Sequence, residues 1–300
     1  MTATTTTPTK TAPGPTAAGP SRTPGGPGRA GADEGRIGLR ANLRHIGALV
    51  RRNALQIKQN PESMFDALLM PIVFALLFVY VFGGAVGGSM GTGGSGAGRD
   101  IYVNYIIPGL MAMGGLNIAM SVGSGVNDDF NKGVMDRFRT MPIARSSVLI
   151  AKLVVEAGRM LVSTVVLLLV AFLIGFDLKT GPGELLAAVG LTLLFGSALT
   201  WIFMLIGLSV KTPQAVQGLG FLVLMPLQFG SSIFAPPGSM PGWLEAFTKY
   251  NPLSNLADAA RALMNGQGAV AHPVLMTLMW TVIITAVTAP LAISKFRRKT

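Results

Sequence analysis

Six apolar runs punctuate this chain, roughly at 64–86, 101–126, 153–176, 185–210, 216–236 and 273–294. At about 1.5 Å per residue, each is long enough to cross a hydrocarbon layer of about 30 Å as a helix, which constrains the chain to a lipid-embedded helical fold. Basic residues then show which connections share a side. Arg36, Arg40, Arg44, Arg51, Arg52 and Lys58 precede the first run. Lys132, Arg137, Arg139, Arg145, Lys152 and Arg159 lie in or beside the connection between the second and third. Lys211 separates the fourth from the fifth, and Lys295, Arg297, Arg298 and Lys299 follow the sixth. The alternate connections hold only Arg99, Lys179, Lys249 and Arg261, a split of 17 to 4. Basic residues are retained on the cytoplasmic side. The expected fold class is therefore all-α integral membrane: six transmembrane helices, multi-pass in a plasma membrane, with both termini cytoplasmic.

Composition agrees. Half of the residues are hydrophobic and only 12% are charged, whereas soluble domains carry about a quarter. The net charge of +11 raises the question of nucleic acid. Here the basic residues border apolar spans rather than cluster with aromatics, which points to membrane lipids with anionic headgroups and to no nucleic acid. The absence of cysteine removes disulfides, thiol nucleophiles and Cys-based metal sites. Residues 1–35 are almost entirely Thr, Pro, Ala, Gly and Ser, and read as a disordered cytoplasmic tail. The tail lacks the apolar stretch of a secretory signal peptide, and the chain shows no repeat of 20–50 residues.

Residues 36–60 form an expected amphipathic interfacial helix, with Leu39, Leu43, Ile46 and Val50 on one side, Arg36, Arg40 and Arg44 on another, and an end at Asn60-Pro61. A plain cytoplasmic extension of the first span is the alternative. Residues 61–299 constitute the six-span domain. The first span contains Pro71 and closes on Tyr80-Val81-Phe82-Gly83-Gly84. The glycine-rich 87–96 stretch that follows lacks Gly-Lys-Ser/Thr and reads as a flexible linker.

Beyond the second span, Phe130, Val134 and Phe138 recur at i, i+4 and i+8, with Asp136, Arg137 and Arg139 on other faces. This predicts a short amphipathic helix, stopped before Pro142, with Ser146-Ser147 as the N-cap pair of span three. It either docks a partner or rests at the lipid interface. Span three is the weakest, with only the 17 residues from Met160 to Phe176 free of charge, though Glu156 and Arg159 at i, i+3 can neutralise each other. The turn at Lys211-Thr212-Pro213 predicts that spans four and five pack as an antiparallel pair. Gln228, beside Pro226, reads as a buried polar group, either helix–helix glue or, with Asn117, a polar element of a translocation path.

The 237–272 connection is too long for a bare loop. Trp243, Phe247 and Tyr250 fall at i, i+4 and i+7, then Asn251 supplies an N-cap and Pro252 a first helical residue. Leu253, Leu256, Ala257, Ala260 and Met264 follow on one face, Asp258 and Arg261 are one turn apart, and Asn265-Gly266 ends the helix. Two short helices are thus expected, at the outer interface or dipping back into the protein.

Catalytic groups are scarce. His45 and His272 are expected on opposite sides of the membrane, and no Walker A motif occurs. Asp128-Asp129 with Asp136 is the one constellation suited to chemistry, since intramembrane prenyltransferases use aspartate-rich motifs to hold magnesium and a diphosphate. The acidic positions of that motif fall here on Asn131 and Met135, and a second aspartate cluster is missing. No metal site or directly bound cofactor is expected. The spans also lack the mid-depth carboxylates of an ion-coupled carrier, so energy must come from elsewhere. A non-transporting membrane scaffold and a magnesium-dependent prenyl-diphosphate enzyme are the competing classes.

Three stretches then carry a resemblance. Asn60-Pro61-Glu62 through Pro71-Ile72-Val73-Phe74 to Tyr80-Val81-Phe82-Gly83-Gly84, Asp129 through Pro142, and Tyr250-Asn251-Pro252-Leu253-Ser254-Asn255-Leu256-Ala257-Asp258-Ala259-Ala260-Arg261 together resemble the permease subunits of ABC-2 type exporters, particularly the actinobacterial daunorubicin-resistance-like group. The resemblance spans about 36–299. It implies an interfacial connecting helix at the N-terminus, a coupling helix containing Phe130, Val134, Asp136, Arg137, Phe138 and Arg139 that docks a separate ATPase subunit, and an external helix motif of Asn251, Pro252, Asp258 and Arg261. It also implies a second permease copy or paralogue, with ATP and magnesium held on the partner ATPase. The cargo implied is a hydrophobic or amphiphilic drug or secondary metabolite, with lipid or glycan as the alternative within the family. If the sidedness is right, a cysteine introduced at Asp136 reacts with an impermeant maleimide only after cells are opened; labelling in intact cells would invert the topology.

Overall fold

The computed structural model describes residues 61–83, 95–133 and 145–299. The tail, the 36–60 helix, the 87–94 linker and the 134–144 part of the coupling segment lie outside them. The described residues are almost wholly helical: α1 Pro61–Leu77, continued by a π-helical turn Phe78–Phe82, α2 Ser95–Asn131, α3 Arg145–Ile174, α4 Pro182–Gly207, α5 Pro213–Phe229, α6 Gly242–Tyr250, α7 Pro252–Asn265 and α8 Ala271–Lys299. Four of these, α2, α3, α4 and α8, are long and apolar enough to cross a membrane.

The helices run past the apolar runs where charge finds a partner. α2 extends to Asn131 because Asp128 pairs with Lys132 at 2.6 Å and Asp129 with Lys152 of α3 at 2.8 Å. It stops there because Gly133 takes φ 66°, and the Lys132 and Gly133 amides close back onto the Asp128 and Phe130 carbonyls. Phe130 therefore belongs to the last turn of α2, and the expected continuous 130–138 helix is broken at Gly133. α3 begins at Arg145, so Ser146 and Ser147 lie within its first turn rather than capping it. The span expected to be weakest is a 30-residue helix, in which Glu156 meets Arg159 at 3.0 Å and Arg159 reaches Ser121 Oγ on α2.

The fifth run behaves differently. It is helical for only 17 residues, about 25 Å at helical rise, and unwinds at Gly230 instead of continuing to 236. Residues 230–241 are irregular apart from one turn at Pro237–Ser239. The expected antiparallel partnership of spans four and five is minor, since α5 lies mainly along α2.

α2 is the hub of the bundle, and its main partner is α4. Its packing uses small residues, as close helix approach in lipid requires. A Cβ on Gly115 would lie 3.3 Å from Gly196 Cα, one on Gly123 only 2.5 Å from the Phe203 carbonyl oxygen, and one on Gly207 only 2.2 Å from the Gly123 carbonyl oxygen. α8 covers α4 from outside and leaves Leu275, Val282, Val287 and Leu291 exposed, a face suited to lipid. Gly207→Ala should lower stability by about 1–3 kcal/mol through overpacking, read as a reduced thermal midpoint in detergent, whereas Gly190→Ala, where a Cβ meets nothing within 4 Å, should not.

Candidate functional site

Polar side chains gather at the two ends of the bundle. One end, where residues 127–133, 207–212 and 295–299 meet, is the basic end. At the far end, the unwound stretch after α5 leaves carbonyls that no helix satisfies, and three elements supply donors. Asn251 donates from Nδ2 to the Leu227 and Gly230 carbonyls at 2.7 and 3.0 Å, and its Oδ1 accepts from the Leu253 amide at 2.9 Å. One side chain thus closes the end of α5 and caps the start of α7. Tyr102 and Tyr105, on α2, donate to the Phe234 and Ser232 carbonyls at 3.2 and 2.6 Å.

Arg261, on α7, completes the arrangement. Its Nε donates to the Tyr105 carbonyl at 2.9 Å. Nη1 donates to Asp258 Oδ1 at 2.7 Å and to Ser232 Oγ at 3.2 Å. Nη2 donates to the Ser232 and Ile233 carbonyls at 2.6 and 3.1 Å. All five guanidinium N–H groups are used, and the plane stacks 3.8 Å from the Tyr105 ring centroid. The expected external motif is therefore a clamp. Of the two placements expected for its helices, α7 takes the inward one. It is enclosed on nearly every side rather than on one apolar face, including Ser254, Asn255 and Asn265. α6 stays outside, with Trp243, Phe247 and Tyr250 exposed. Asn265 Nδ2 donates to the Asn104 carbonyl at 2.7 Å, and Thr180 Oγ1 donates to the Met264 carbonyl at 3.1 Å, which tethers the α3–α4 connection to the end of α7.

At the basic end Phe130 faces inward, its ring edge-on to buried Phe296 of α8 at 5.6 Å with Lys299 Nζ 5.8 Å above it. Asn127, buried, donates to the Gly207 and Val210 carbonyls at 2.9 and 2.7 Å. Lys295 Nζ reaches Ser209 Oγ at 2.8 Å. Asp128 beside Lys132 holds the ammonium pKa above its ordinary value. Of the expected docking residues, Phe130 alone is described; Val134, Asp136, Arg137, Phe138 and Arg139 lie outside the described residues. Of the three aspartates of the prenyl-diphosphate alternative, Asp128 and Asp129 are each held by a lysine and Asp136 lies outside the described residues; no three His, Asp or Glu side chains converge among the described residues.

Gln228 and Asn117 do not share a site. Gln228 is partly buried at the end of α5, and among the described residues no side-chain hydrogen bond joins it to another helix. Asn117 lines a small open apolar groove between α1 and α2 with Pro71, Phe74, Leu110, Met113 and Gly114. The structural roles of Tyr102, Tyr105, Asn127 and Ser232 are not evident from spacing, because the carbonyl partners of the first three lie 80 or more residues away and those of Ser232, on α7, lie 22 to 29 residues on. The clamp predicts that Arg261→Ala withdraws donors from three carbonyls, leaves that of Ile233 without any, and lowers stability by about 2–4 kcal/mol. Arg261→Lys, with three donors for five acceptors, should fall between it and wild type in thermal unfolding.

Comparison with known proteins places these features in a family. Residues 44–265 match the ABC-2 type transporter family. The daunorubicin resistance ABC transporter permease protein DrrB1 of Streptomyces coeruleorubidus is 33% identical over 248 residues, 83% of this chain and 84% of the relative. The probable doxorubicin resistance ABC transporter permease protein DrrC of Mycobacterium tuberculosis is 27% identical over 240 residues, 79% of this chain and 83% of the relative. A putative transport permease, ycf38, of Porphyra purpurea is 22% identical over 73% of both chains. With the matched region covering the clamp, the glycine-packed hub and the 127–133 and 207–212 parts of the basic end, this chain belongs to the ABC-2 type transporter family and is an integral membrane protein.

Proposed function

We propose that the chain is the permease subunit of an ATP-driven exporter that moves a hydrophobic or amphiphilic drug or secondary metabolite out of the cell. The similarity to a daunorubicin resistance permease over most of both chains carries this reading. In it, α1 and α5 complete six spans with α2, α3, α4 and α8, and the basic end faces the cytoplasm. The grouping of Lys132, Lys152, Lys211, Lys295 and Lys299 at that end, against Arg99, Lys179, Lys249 and Arg261 toward the other, supports this sidedness. Both termini are then cytoplasmic, and two permease copies or paralogues face each other in the membrane.

Force comes from a separate ATPase subunit that carries the ATP and magnesium. It docks on the segment after Gly133, where Phe138 fills an apolar pocket, Asp136, Arg137 and Arg139 set register, and Val134 is a further docking residue. Phe130 anchors the root of this segment. Closure of the ATPase dimer displaces the segment, and the bundles rock between inward- and outward-open states. Cargo selection rests on apolar surface, with Asn117 and Gln228 as sparse polar contacts along the path. The pairing of Asp128 and Asp129 with lysines weighs against a magnesium-binding diphosphate site.

The test is transport by inside-out vesicles containing the permease and its ATPase subunit. ATP should drive uptake of an anthracycline, and Phe138→Ala or Arg137→Glu should weaken co-purification of the ATPase by about tenfold or more. ATP-driven uptake that fails although the complex is intact would refute the drug cargo. Unchanged association in both variants would refute the docking assignment.

A further inference from the structure

The root of the 134–139 segment is fastened to a place far away in sequence. Asn127, 2% exposed, spans the gap from the last turn but one of α2 to the α4–α5 turn through its two donations to Gly207 and Val210. Its Oδ1 accepts from Asn131 Nδ2 at 2.9 Å, and Asn131 Nδ2 in turn donates to the Lys211 carbonyl at 3.1 Å. Two amides, one turn apart on α2, thus hold three carbonyls at the end of α4 and in the turn beyond it. Those carbonyls lack helical donors, since the turn itself bonds backward only through Leu208 to Met204 and through Ser209 and Val210 to Ile206.

The reach depends on the helix crossing just above. Gly207 and Gly123 touch so closely that neither accepts a Cβ, and Asn127 sits one turn past Gly123. The short amide therefore meets the turn directly. α4 is also the helix on which α8 lies, and Ser209 of the same turn receives Lys295 from α8. A push arriving at Lys132 and Gly133 thus meets the α4–α5 turn within one helical turn, and α8 beyond it.

We infer that Asn127 and Asn131 form a strut that carries displacement of the 134–139 segment into α4. This rests on the proposed docking of an ATPase on that segment. Neither residue touches nucleotide or cargo in this scheme; both are positioning residues. Without the strut, α2 frays at its end, and the ATPase hydrolyses ATP while the bundle stays still. A plain helix cap would instead lower stability and leave the export yield per ATP intact.

The chain has no cysteine, so a covalent replacement of the strut is straightforward to read. Exposed Asn131 is the first target, because its loss leaves the buried amide in place. With the complete complex in vesicles, Asn131→Ala should lower cargo exported per ATP hydrolysed by about fivefold, the worth of one net hydrogen bond, while ATPase association is kept. Asn127→Asp, which can accept but not donate at physiological pH, should lower it further.

The double variant Asn131→Cys with Lys211→Cys should resemble Asn131→Ala when reduced, and joining the two cysteines with a short cross-linker should restore the yield. Arrest of transport by the cross-link would mean that the two sites must separate during the cycle, and would overturn the strut. An unchanged yield per ATP in Asn131→Ala and Asn127→Asp would overturn it as well. Failure of the wild-type permease to bind or stimulate any ATPase would instead overturn the docking reading.

Discussion

A backbone carbonyl without a donor is costly wherever water is excluded, and this bundle is organised around the places where helices stop. α5 stops seven residues before the apolar run does. Of the carbonyls freed between Leu227 and Phe234, that of Gln228 is met locally by Ser231, and those of Leu227, Gly230, Ser232, Ile233 and Phe234 are met by side chains from other elements: Asn251, Thr248, Tyr102, Tyr105 or Arg261. The same problem at the end of α4 is met by Asn127 and Asn131. Both solutions draw on α2, which enters the far-end clamp through its tyrosines and the basic-end strut through its asparagines.

That shared use explains why α2 is the most enclosed long helix and why its contact with α4 is lined by glycine. A helix that must satisfy backbone groups at both ends of its neighbours cannot slide or rotate freely against them. Close approach at Gly115, Gly123, Gly196 and Gly207 shortens the distance that a side chain must span, and short amides then suffice. The outer helices carry no such duty. α8 presents broad apolar surface outward, a face suited to lipid.

The parts of this fold that were legible in sequence are those whose cause is local. Asn251-Pro252 and Asn265-Gly266 delimit α7 because N-caps, first-turn prolines and left-handed C-cap glycines act within four residues; Gly266 adopts φ 64° as the pattern requires. Asp258 and Arg261 pair because one turn separates them. The break of the 130–138 periodicity was also locally encoded, in Lys132-Gly133, but the i, i+4, i+8 spacing of Phe130, Val134 and Phe138 masked it. The unwinding at Gly230 was hidden for another reason. An apolar run measures affinity for lipid, whereas helix continuity there depends on whether Arg261, 31 residues on, can replace the lost hydrogen bonds. Asn117 and Gln228 are polar residues within apolar runs, and that pattern alone does not encode which face of the helix they occupy.

The polar groups that do lie within the bundle are largely consumed. Glu156 and Arg159 face each other, Thr192 and Thr200 bond to their own helix four residues back, and Arg261 has no donor left. A residue already saturated by the fold can offer a passing molecule little orientation-specific recognition without first breaking the contact that holds a helix end. Discrimination among cargoes then falls to shape and apolar area, where one methylene changes affinity by only about 1 kcal/mol. Such a surface favours breadth over selectivity, which suits export of amphiphilic compounds.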